Sequence, residues 1–568
     1  MQNEVSGFWF GVGRRNRHCE RSSPLFVQRT PSEKRGLLRA RALAMTTPDS
    51  RLRTPYFLLL SVPPDPPLIP HTPHKTVLLY RVSTMIFSSS IFLCFFLPLF
   101  LVLYYLTDRK YKNFILLFAS IFFYAWGAPK FVFVIIGTTI LDFFFVKMLD
   151  MNKAKRTRIF FLLLSVFMNV GLLFYFKYCN FFVENVNALL HTLGATGEIS
   201  WTKLVLPIGI SFYTFETLTY VVDVYRGVHK PLKNFWEYQL YIILFPKLIA
   251  GPIIRYHEIA DQITDRSARD TVDEKLMGFY RFCLGLGKKV LIANTMAAFA
   301  DSVYGNPVTG EGFLDPGHVT AATAWFAAIA YTLQIYFDFS GYSDMAIGIG
   351  RMIGFRFPEN FNNPYTAQSI TDFWRRWHMT LGAWMRNYLY IPLGGNRVNK
   401  FRLYFNLWVV FLLSGLWHGA SWNFIFWGAW HGFFLVIERL FLLKLTAKIG
   451  KIPRIILTLF IVVIGWVFFR VEHMKQAWGY VKAMFGRSVG DVSVATGIEW
   501  NYTFVAALIF SFFVLVRRGQ KLQDTVYGIE SLKPRAHVAM TLCSLVLFII
   551  SVSYITGSGF NPFIYFRF

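Results

Sequence analysis

Apolar residues along this chain come in long uncharged blocks rather than in the short alternations typical of soluble proteins. The blocks that lack Asp, Glu, Lys and Arg are 86–106, 159–176, 404–437, 455–469 and 538–566. A bilayer core about 30 Å thick requires roughly 20 apolar residues of helix. Backbone polar groups in hydrocarbon must be paired within the segment, which favours helices. Since the blocks lack the alternation of a membrane β-barrel, the pattern predicts an all-α polytopic membrane protein.

The same pattern predicts about eleven to thirteen membrane segments, of which one or two are re-entrant. Their approximate bounds are 86–106, 113–128, 131–149, 158–178, 203–224, 237–256, 276–299, 320–339, 403–418, 421–441, 453–470, 501–517 and 538–557. The stretch 340–400 is the least apolar part of the membrane body, and we expect short helices and loops there.

Composition and charge agree with this class. The chain is 54% hydrophobic and 16% charged, whereas a soluble domain carries about 25% charged residues. A net charge of +26 would suggest nucleic acid for a soluble protein. Cytoplasmic loops of membrane proteins also collect Lys and Arg, so we expect no nucleic-acid partner. By the same rule the basic loops 109–112 and 152–158 are placed in the cytoplasm and loop 179–202 outside.

Residues 1–84 differ from the rest of the chain. They hold 10 of the 24 prolines and 13 of the 58 basic residues, and no stretch among them reaches spanning length. Such a composition is typical of disorder. We expect 1–84 to be a disordered or wrongly annotated extension, with Met85 as the true start, and 85–568 to form one membrane domain.

Three regions concentrate ionisable residues inside the membrane body, where such residues are costly and by default indicate function. The first is 336–344, in which Asp338 and Asp344 flank a glycine, with hydroxyl groups between them, including those of Ser340 and Tyr342. One hypothesis is a polar pocket wall or a helix break facing a cavity. The other is a capping turn with Ser340 or Asp344 as N-cap.

The second region is 371–378, where Arg375 and Arg376 lie between Trp374 and Trp377, followed by His378. Trp and Arg together are typical of the membrane interface, so an anchoring role is one interpretation. The alternative is that Arg375 or Arg376 binds the phosphates of a donor substrate.

The third region is 413–423, in the middle of the uncharged block 404–437. The 34 residues of that block would form a helix about 50 Å long, too long for one crossing. We therefore expect a break at its small residues. Irregular backbone at membrane depth persists only beside protein or a wet cavity, which places His418 next to a cavity as a neutral proton acceptor. The alternative is a hydrogen-bonded packing histidine, the role expected for His431.

Longer motifs carry a resemblance. They are Leu206-Pro-Ile-Gly-Ile-Ser-Phe-Tyr-Thr-Phe215, Phe245-Pro-Lys-Leu-Ile-Ala-Gly-Pro-Ile-Ile-Arg255, Phe337-Asp-Phe-Ser-Gly-Tyr-Ser-Asp-Met-Ala346, Asp372-Phe-Trp-Arg-Arg-Trp-His378, Tyr390-Ile-Pro-Leu-Gly-Gly-Asn-Arg397 and Leu416-Trp-His-Gly-Ala420. With them, residues 85–568 resemble the membrane-bound O-acyltransferase family, most closely its bacterial polysaccharide branch, to which the membrane subunit of alginate O-acetyltransferase belongs. The resemblance implies a ring of helices around a thinned centre, with a funnel and a tunnel meeting at a histidine.

The resemblance also implies roles for residues. His418 would be the catalytic residue and His378 the second family position, which orients the donor or stabilises developing charge. The remaining candidates for substrate binding are Trp417, Asn423, Asp338, Ser340, Tyr342, Asp344, Arg375 and Arg376. Neither a metal nor a bound cofactor is expected, and acetyl-CoA is the expected donor substrate.

We therefore expect a multi-pass O-acyltransferase of a bacterial inner membrane, surrounded by lipid. It would move an acetyl group from a cytosolic thioester to hydroxyls of an exported polysaccharide or of a periplasmic relay protein. Donors of D-alanyl or longer acyl groups are alternatives within the family. A transporter and a non-catalytic export scaffold are the alternatives of another class.

Overall fold

The computed structural model of the protein describes residues 85–195, 197–306, 312–494, 497–528, 532–558 and 563–564. The predicted extension 1–84 lies outside them, so its nature stays a prediction. Within the described residues the chain forms helices and no β-strand. This confirms the predicted all-α class.

The helices follow one another along the chain. They are α1 (Leu97–Leu106), α2 (Lys112–Gly127), α3 (Val132–Met151), α4 (Lys155–Leu173), α5 (Cys179–Thr192), α6 (Ile210–Arg226), α7 (Phe235–Ile243), α8 (Phe245–Leu248), α9 (Tyr256–Thr264), α10 (Val272–Gly287), α11 (Asn294–Tyr304), α12 (Ala321–Met352), α13 (Ile370–Arg376), α14 (Met379–Trp384), α15 (Lys400–His418), α16 (Trp422–Ile437), α17 (Leu443–Thr446), α18 (Lys451–Arg470), α19 (Met474–Met484), α20 (Ile498–Phe512), α21 (Arg517–Val526) and α22 (Pro534–Ser558). Wider π-helical turns occupy Phe92–Phe96, Phe174–Tyr178, Lys288–Ala293, Met385–Tyr390 and Glu438–Leu442.

Seven helical runs of the described residues have the length and apolar composition needed to cross a bilayer. They are Pro129–Met151, Lys155–Thr192, Val272–Tyr304, Trp422–Thr446, Lys451–Arg470, Ile498–Leu515 and Pro534–Gly557. The chain is thus a multi-pass membrane protein, with fewer segments meeting this criterion than the eleven to thirteen predicted. One reason lies in 237–256, which forms the two short helices α7 and α8 because Pro246 starts a new helix.

One end of the bundle collects basic segments, and we call it the basic face: residues 107–112, 152–158, 225–234 and 385–402, joined by the more acidic segment 254–275. Four contacts join these loops: Lys112 with Asp270 at 2.7 Å, Arg158 with the Tyr225 carbonyl at 2.9 Å, His229 with Asp261 at 3.1 Å and Arg226 with the Asn387 carbonyl at 3.1 Å. At the other end, Trp422 donates to Asn185 at 2.9 Å. The predicted cytoplasmic loops 109–112 and 152–158 therefore share one face, away from loop 179–202.

The uncharged block 404–437 is broken as the sequence predicts. Helix α15 ends at His418 and α16 begins at Trp422, so the two form a helical hairpin. A Cβ atom at Gly415 would collide with the Phe424 carbonyl oxygen, and one at Gly428 with the Phe411 carbonyl oxygen. The two glycines therefore let the backbones touch, as small residues do between membrane helices.

The stretch 336–344 is neither a helix break nor a capping turn, so those two predictions are wrong, and its role as a polar pocket wall stays a prediction. It lies inside α12, which runs unbroken over 32 residues. Helix α10 packs against it through two glycine pairs: a Cβ at Gly285 would lie 2.5 Å from the Gly341 carbonyl oxygen, and one at Gly278 would lie 2.6 Å from that of Gly348. Gly341 therefore allows close packing of α10 on α12. Helix α12 stays regular, and Arg281 of α10 pairs with its Asp344.

Candidate active site

His418 is the last residue of α15 and is 4% exposed. Its Nδ1 lies 2.6 Å from the Ser414 carbonyl oxygen, one turn earlier in the same helix. Because a carbonyl only accepts, Nδ1 carries the proton and Nε2 of the neutral ring holds the lone pair. This hydrogen bond fixes both the ring orientation and the tautomer that a general base needs.

His378 is held in an unusual conformation. Its φ of 44° lies in the left-handed region, which is rare for a residue with a side chain, and the residue is 1% exposed. Its Nδ1 donates to Asn360 Oδ1 at 3.0 Å. Backbone strain of this kind costs about 1–3 kcal/mol and is concentrated at functional sites.

Asn360 connects His378 to its surroundings. The amide oxygen also accepts from the Thr380 hydroxyl at 2.9 Å, and the amide nitrogen donates to Ser343 Oγ at 3.1 Å. With the oxygen held by these donors, His378 Nδ1 must be protonated and Nε2 must be the acceptor. Nε2 is buried and has no hydrogen-bond partner among the described residues.

The structure brings His378, His418 and Trp417 together. The Trp417 ring lies 4.9 Å from the His418 ring and 6.2 Å from the His378 ring, centroid to centroid. Phe215 stacks on Trp417 at 5.2 Å and fixes its plane. The Trp417 indole N–H is buried and unpartnered within the described part of the chain. An unpaired donor beside an unpaired imidazole nitrogen indicates a space that a substrate or water fills.

The polar residues of α12 have different surroundings from one another. Asp338 pairs with Lys289 and accepts the Ile564 N–H at 2.8 Å. Asp344 pairs with Arg281 at 2.9 Å and Lys288 at 2.6 Å. Both carboxylates are thus already neutralised by cations of the protein.

Ser340 and Tyr342, the other two candidates on α12, carry no charge. Ser340 Oγ is buried without a hydrogen bond to any described residue, and its neighbour Phe339 contacts His378 at 4.7 Å. Tyr342 packs against Phe87 and Phe563.

Asn423, Arg375 and Arg376 complete the predicted set. Asn423 donates its amide to the Val471 carbonyl, a contact that joins α16 to the end of α18. Arg376 pairs with Asp372 at 2.8 Å and is about one-third exposed, and Arg375 is half-buried beside it on α13. Their role in donor binding stays a prediction, as do the roles of the other candidates.

His431 is fully buried among Trp374 and Trp427, at 5.0 and 5.3 Å between ring centroids. Neither ring nitrogen has a hydrogen-bond partner among the described residues, so the packing role expected for it stays a prediction.

Sequence reasoning missed Asn360 and Lys177. Asn360 carries no charge and lies 18 residues from His378, so no local pattern indicates their contact. Lys177 had a signal, because it is an ionisable residue inside the predicted segment 158–178. Its ammonium group donates to the Trp417 carbonyl at 2.5 Å.

The chain is similar to known proteins over most of its length. A sequence model of the MBOAT, membrane-bound O-acyltransferase family, matches residues 228–471. A "Probable alginate O-acetylase AlgI" of Pseudomonas aeruginosa is 40% identical over 535 residues, covering 85% of this chain and all of the relative. A peptidoglycan O-acetyltransferase of Helicobacter pylori is 35% identical over 439 residues, covering 72% of this chain and 81% of the relative.

A teichoic acid D-alanyltransferase of Bacillus subtilis is more distant, at 26% identity over 251 residues, 42% of this chain and 60% of the relative. Identity of 40% over the whole of a relative, together with the family match, places the sequence within one family. The chain therefore belongs to the membrane-bound O-acyltransferase family and is an O-acyltransferase.

Proposed function

We propose that this O-acyltransferase takes an acetyl group from acetyl-CoA in the cytosol and transfers it to hydroxyls on the far side of a bacterial inner membrane. The acceptor is an exported polysaccharide or a periplasmic protein that relays the acetyl group to it. The observation that carries the proposal is the histidine pair, in which a hydrogen bond at Nδ1 leaves each Nε2 as the acceptor. Relatives named for O-acetyl transfer to alginate and peptidoglycan support the acetyl group and the polymer.

The reaction follows from the tautomer of His418. Nε2 accepts the proton of the attacking hydroxyl group. At the same time the oxygen of that hydroxyl group bonds to the carbonyl carbon of the thioester. The C–S bond then breaks, and the proton passes from His418 to the departing thiolate, so the products are an ester and a free thiol. General-base assistance of this kind typically contributes 10²–10⁴-fold. Holding both substrates against one ring supplies the entropic part of the rate enhancement.

His378 has a supporting role in this proposal. Because its Nε2 is the acceptor, His378 receives a hydrogen bond from a substrate rather than donating one to an oxyanion. The buried Trp417 indole N–H is the donor next to both rings. We assign it the thioester carbonyl oxygen, where negative charge develops during attack.

The two substrates are assigned to opposite faces. Lys and Arg accumulate on cytoplasmic loops, so the basic face is cytoplasmic and receives the donor. Arg375, Arg376, Arg386 and Arg397 are the candidates for its phosphates. Helix α15 runs from Lys400, on the basic face, to His418 at its other end. The acceptor hydroxyl therefore reaches His418 from the other side.

Membrane vesicles of defined orientation test the proposal. Inverted vesicles expose the cytoplasmic face, so labelled acetyl-CoA added outside should label the polymer or protein fraction inside them. Right-side-out vesicles with the same enzyme content should incorporate no label. D-alanyl and longer-chain thioesters added as competitors test the alternative donors. Incorporation only by right-side-out vesicles, or thioester consumption that is absent in both, would reject the proposal.

A further inference from the structure

The carboxyl-terminal end of α15, which carries His418, is held by residues of another helix. In any α-helix the last carbonyl groups lack partners within the helix. Here the Trp417 carbonyl accepts from Lys177 Nζ at 2.5 Å, and the Leu416 carbonyl accepts from the Tyr178 hydroxyl at 3.1 Å. The Gly415 carbonyl accepts from the backbone N–H of Gly419 at 3.3 Å.

Lys177 and Tyr178 reach two adjacent carbonyl groups of α15 from a wide helical turn. Lys177 and Tyr178 belong to the π-helical segment Phe174–Tyr178, which continues α4 into α5. Adjacent residues of a regular α-helix point in directions about 100° apart, whereas these two reach adjacent carbonyls. Short π-helical turns inside α-helices are frequent at functional sites.

The charge of Lys177 is unexplained by packing alone. The residue is 8% exposed, and its other hydrogen bond is to Ser211 Oγ at 3.3 Å. No carboxylate of the described residues lies within ion-pair distance of Nζ. By contrast, the buried Lys247 and Lys289 pair with Glu216 and Asp338. Charging a buried amine without an acid partner is costly, so the interaction that holds Lys177 here is the one with the carbonyl end of α15.

The negative end of a helix dipole is what this ammonium group faces. A cation there is favourable, more so in partly buried geometries than at exposed ones. The Trp417 carbonyl is bonded to the nitrogen of His418, so fixing that carbonyl fixes the peptide plane that precedes the catalytic ring. The Ser414 carbonyl that sets the His418 tautomer lies one turn away on the same helix.

We propose that Lys177 is a positioning residue of the acyl-transfer reaction, assisted by Tyr178. Its ammonium group locks the end of α15 so that His418 Nε2 stays aimed at the attacking hydroxyl. This inference rests on the proposed role of His418 as the base.

The test compares Lys177→Met, which keeps the length of the side chain and removes the charge, with Lys177→Arg, which keeps the charge. Acetyl transfer from acetyl-CoA into inverted vesicles is measured over a range of donor concentrations and normalised to folded, monodisperse enzyme. A displacement of about 1 Å costs roughly 10²-fold, so Lys177→Met should lower kcat about 10²-fold and leave KM within about twofold. Lys177→Arg should restore at least about a tenth of the native kcat, since it keeps the charge and donors.

Two further variants make the outcome decisive. Lys203, which is exposed and pairs with Glu184 at 2.9 Å, provides the matched control, and Lys203→Met should be unchanged. His418→Gln is measured in parallel. If His418→Gln remains active, the proposed function fails. If His418→Gln is inactive while Lys177→Met keeps native kcat, raises only KM, or is no worse than Lys177→Arg, the positioning role alone is rejected.

Discussion

Two polar regions inside the membrane body of this enzyme differ in how their polar side chains are paired. In the hairpin of α15 and α16, His418 and Trp417 keep a nitrogen free for a substrate. In α12, Asp338 and Asp344 are matched by Lys289, Lys288 and Arg281. An ionisable group in hydrocarbon is costly and by default indicates function. The charged groups of α12 are paired within the protein, whereas the candidate site keeps unpartnered nitrogens at Trp417 and His378 among the described residues.

The largest effect is expected when the proposed base is removed from the hairpin. His418→Gln keeps a polar side chain of similar size but has no basic nitrogen. We expect acetyl transfer to fall by about 10²–10⁴-fold while the protein remains folded in the membrane. The measurement is incorporation of labelled acetyl groups, normalised to monodisperse enzyme.

His431→Gln is the matched control for this variant, because His431 is also a buried histidine of the same hairpin but is enclosed by Trp374 and Trp427. It should keep most of the activity per folded molecule. Equal losses for the two variants would mean that the hairpin, and not the imidazole of His418, limits the reaction.

In α12, replacing an ionisable side chain by an amide should lower the stability of the protein rather than its activity. Asp344→Asn removes the negative charge that Lys288 and Arg281 share, and leaves Lys288 without a carboxylate partner among the described residues. Removing one partner of a buried ion pair typically costs about 3–5 kcal/mol. We expect a lower thermal midpoint in detergent and near-native activity in the fraction that remains folded.

The double variant Lys288→Met with Asp344→Met distinguishes the two roles. Replacing both partners of a buried pair by apolar residues is often neutral, so it should recover much of the lost stability. A stable Asp344→Asn protein without activity would instead support the substrate-binding role predicted for Asp344 from the sequence.

Asn360 tests the tautomer of His378. Asn360→Leu removes the oxygen that accepts from Nδ1, so the ring loses both its orientation and its preferred protonation. We expect kcat to fall about 10²-fold, as for a small displacement of a reacting group. Asn360→Asp keeps the acceptor oxygen and should retain more activity than Asn360→Leu. The reverse order would contradict the assignment of Nδ1 as the donor.

The sequence predicts the helical class and the break before Trp422, because both depend on quantities visible along the chain. A 34-residue uncharged block exceeds the bilayer thickness, and the small residues mark where it divides. The motif around His418 then indicates its chemistry. The break and the buried histidine are found where the sequence places them.

The predicted break or cap in 336–344 is wrong because the residues that keep α12 regular are distant in sequence. Gly341 is a contact point for Gly285, and Asp344 is paired by Arg281 and Lys288. None of these partners is within 50 positions of the residue that it meets. A glycine flanked by carboxylates looks the same whether it breaks a helix or packs against one. Only the neighbouring helix decides between the two.

The smallest effect should come from Arg376, at the edge of the site. It pairs with Asp372 at 2.8 Å and is about one-third exposed. An exposed charge pair contributes about 0.2–1 kcal/mol, so stability should hardly change in Arg376→Ala. If Arg376 also contacts the donor phosphates, losing that screened contact should raise KM for acetyl-CoA by a factor of at most about five. Asp372→Ala removes the same ion pair but keeps the guanidinium, so it should leave KM unchanged or lower. Equal KM values in both variants would assign Arg376 to the structural side of the comparison, with Asp344.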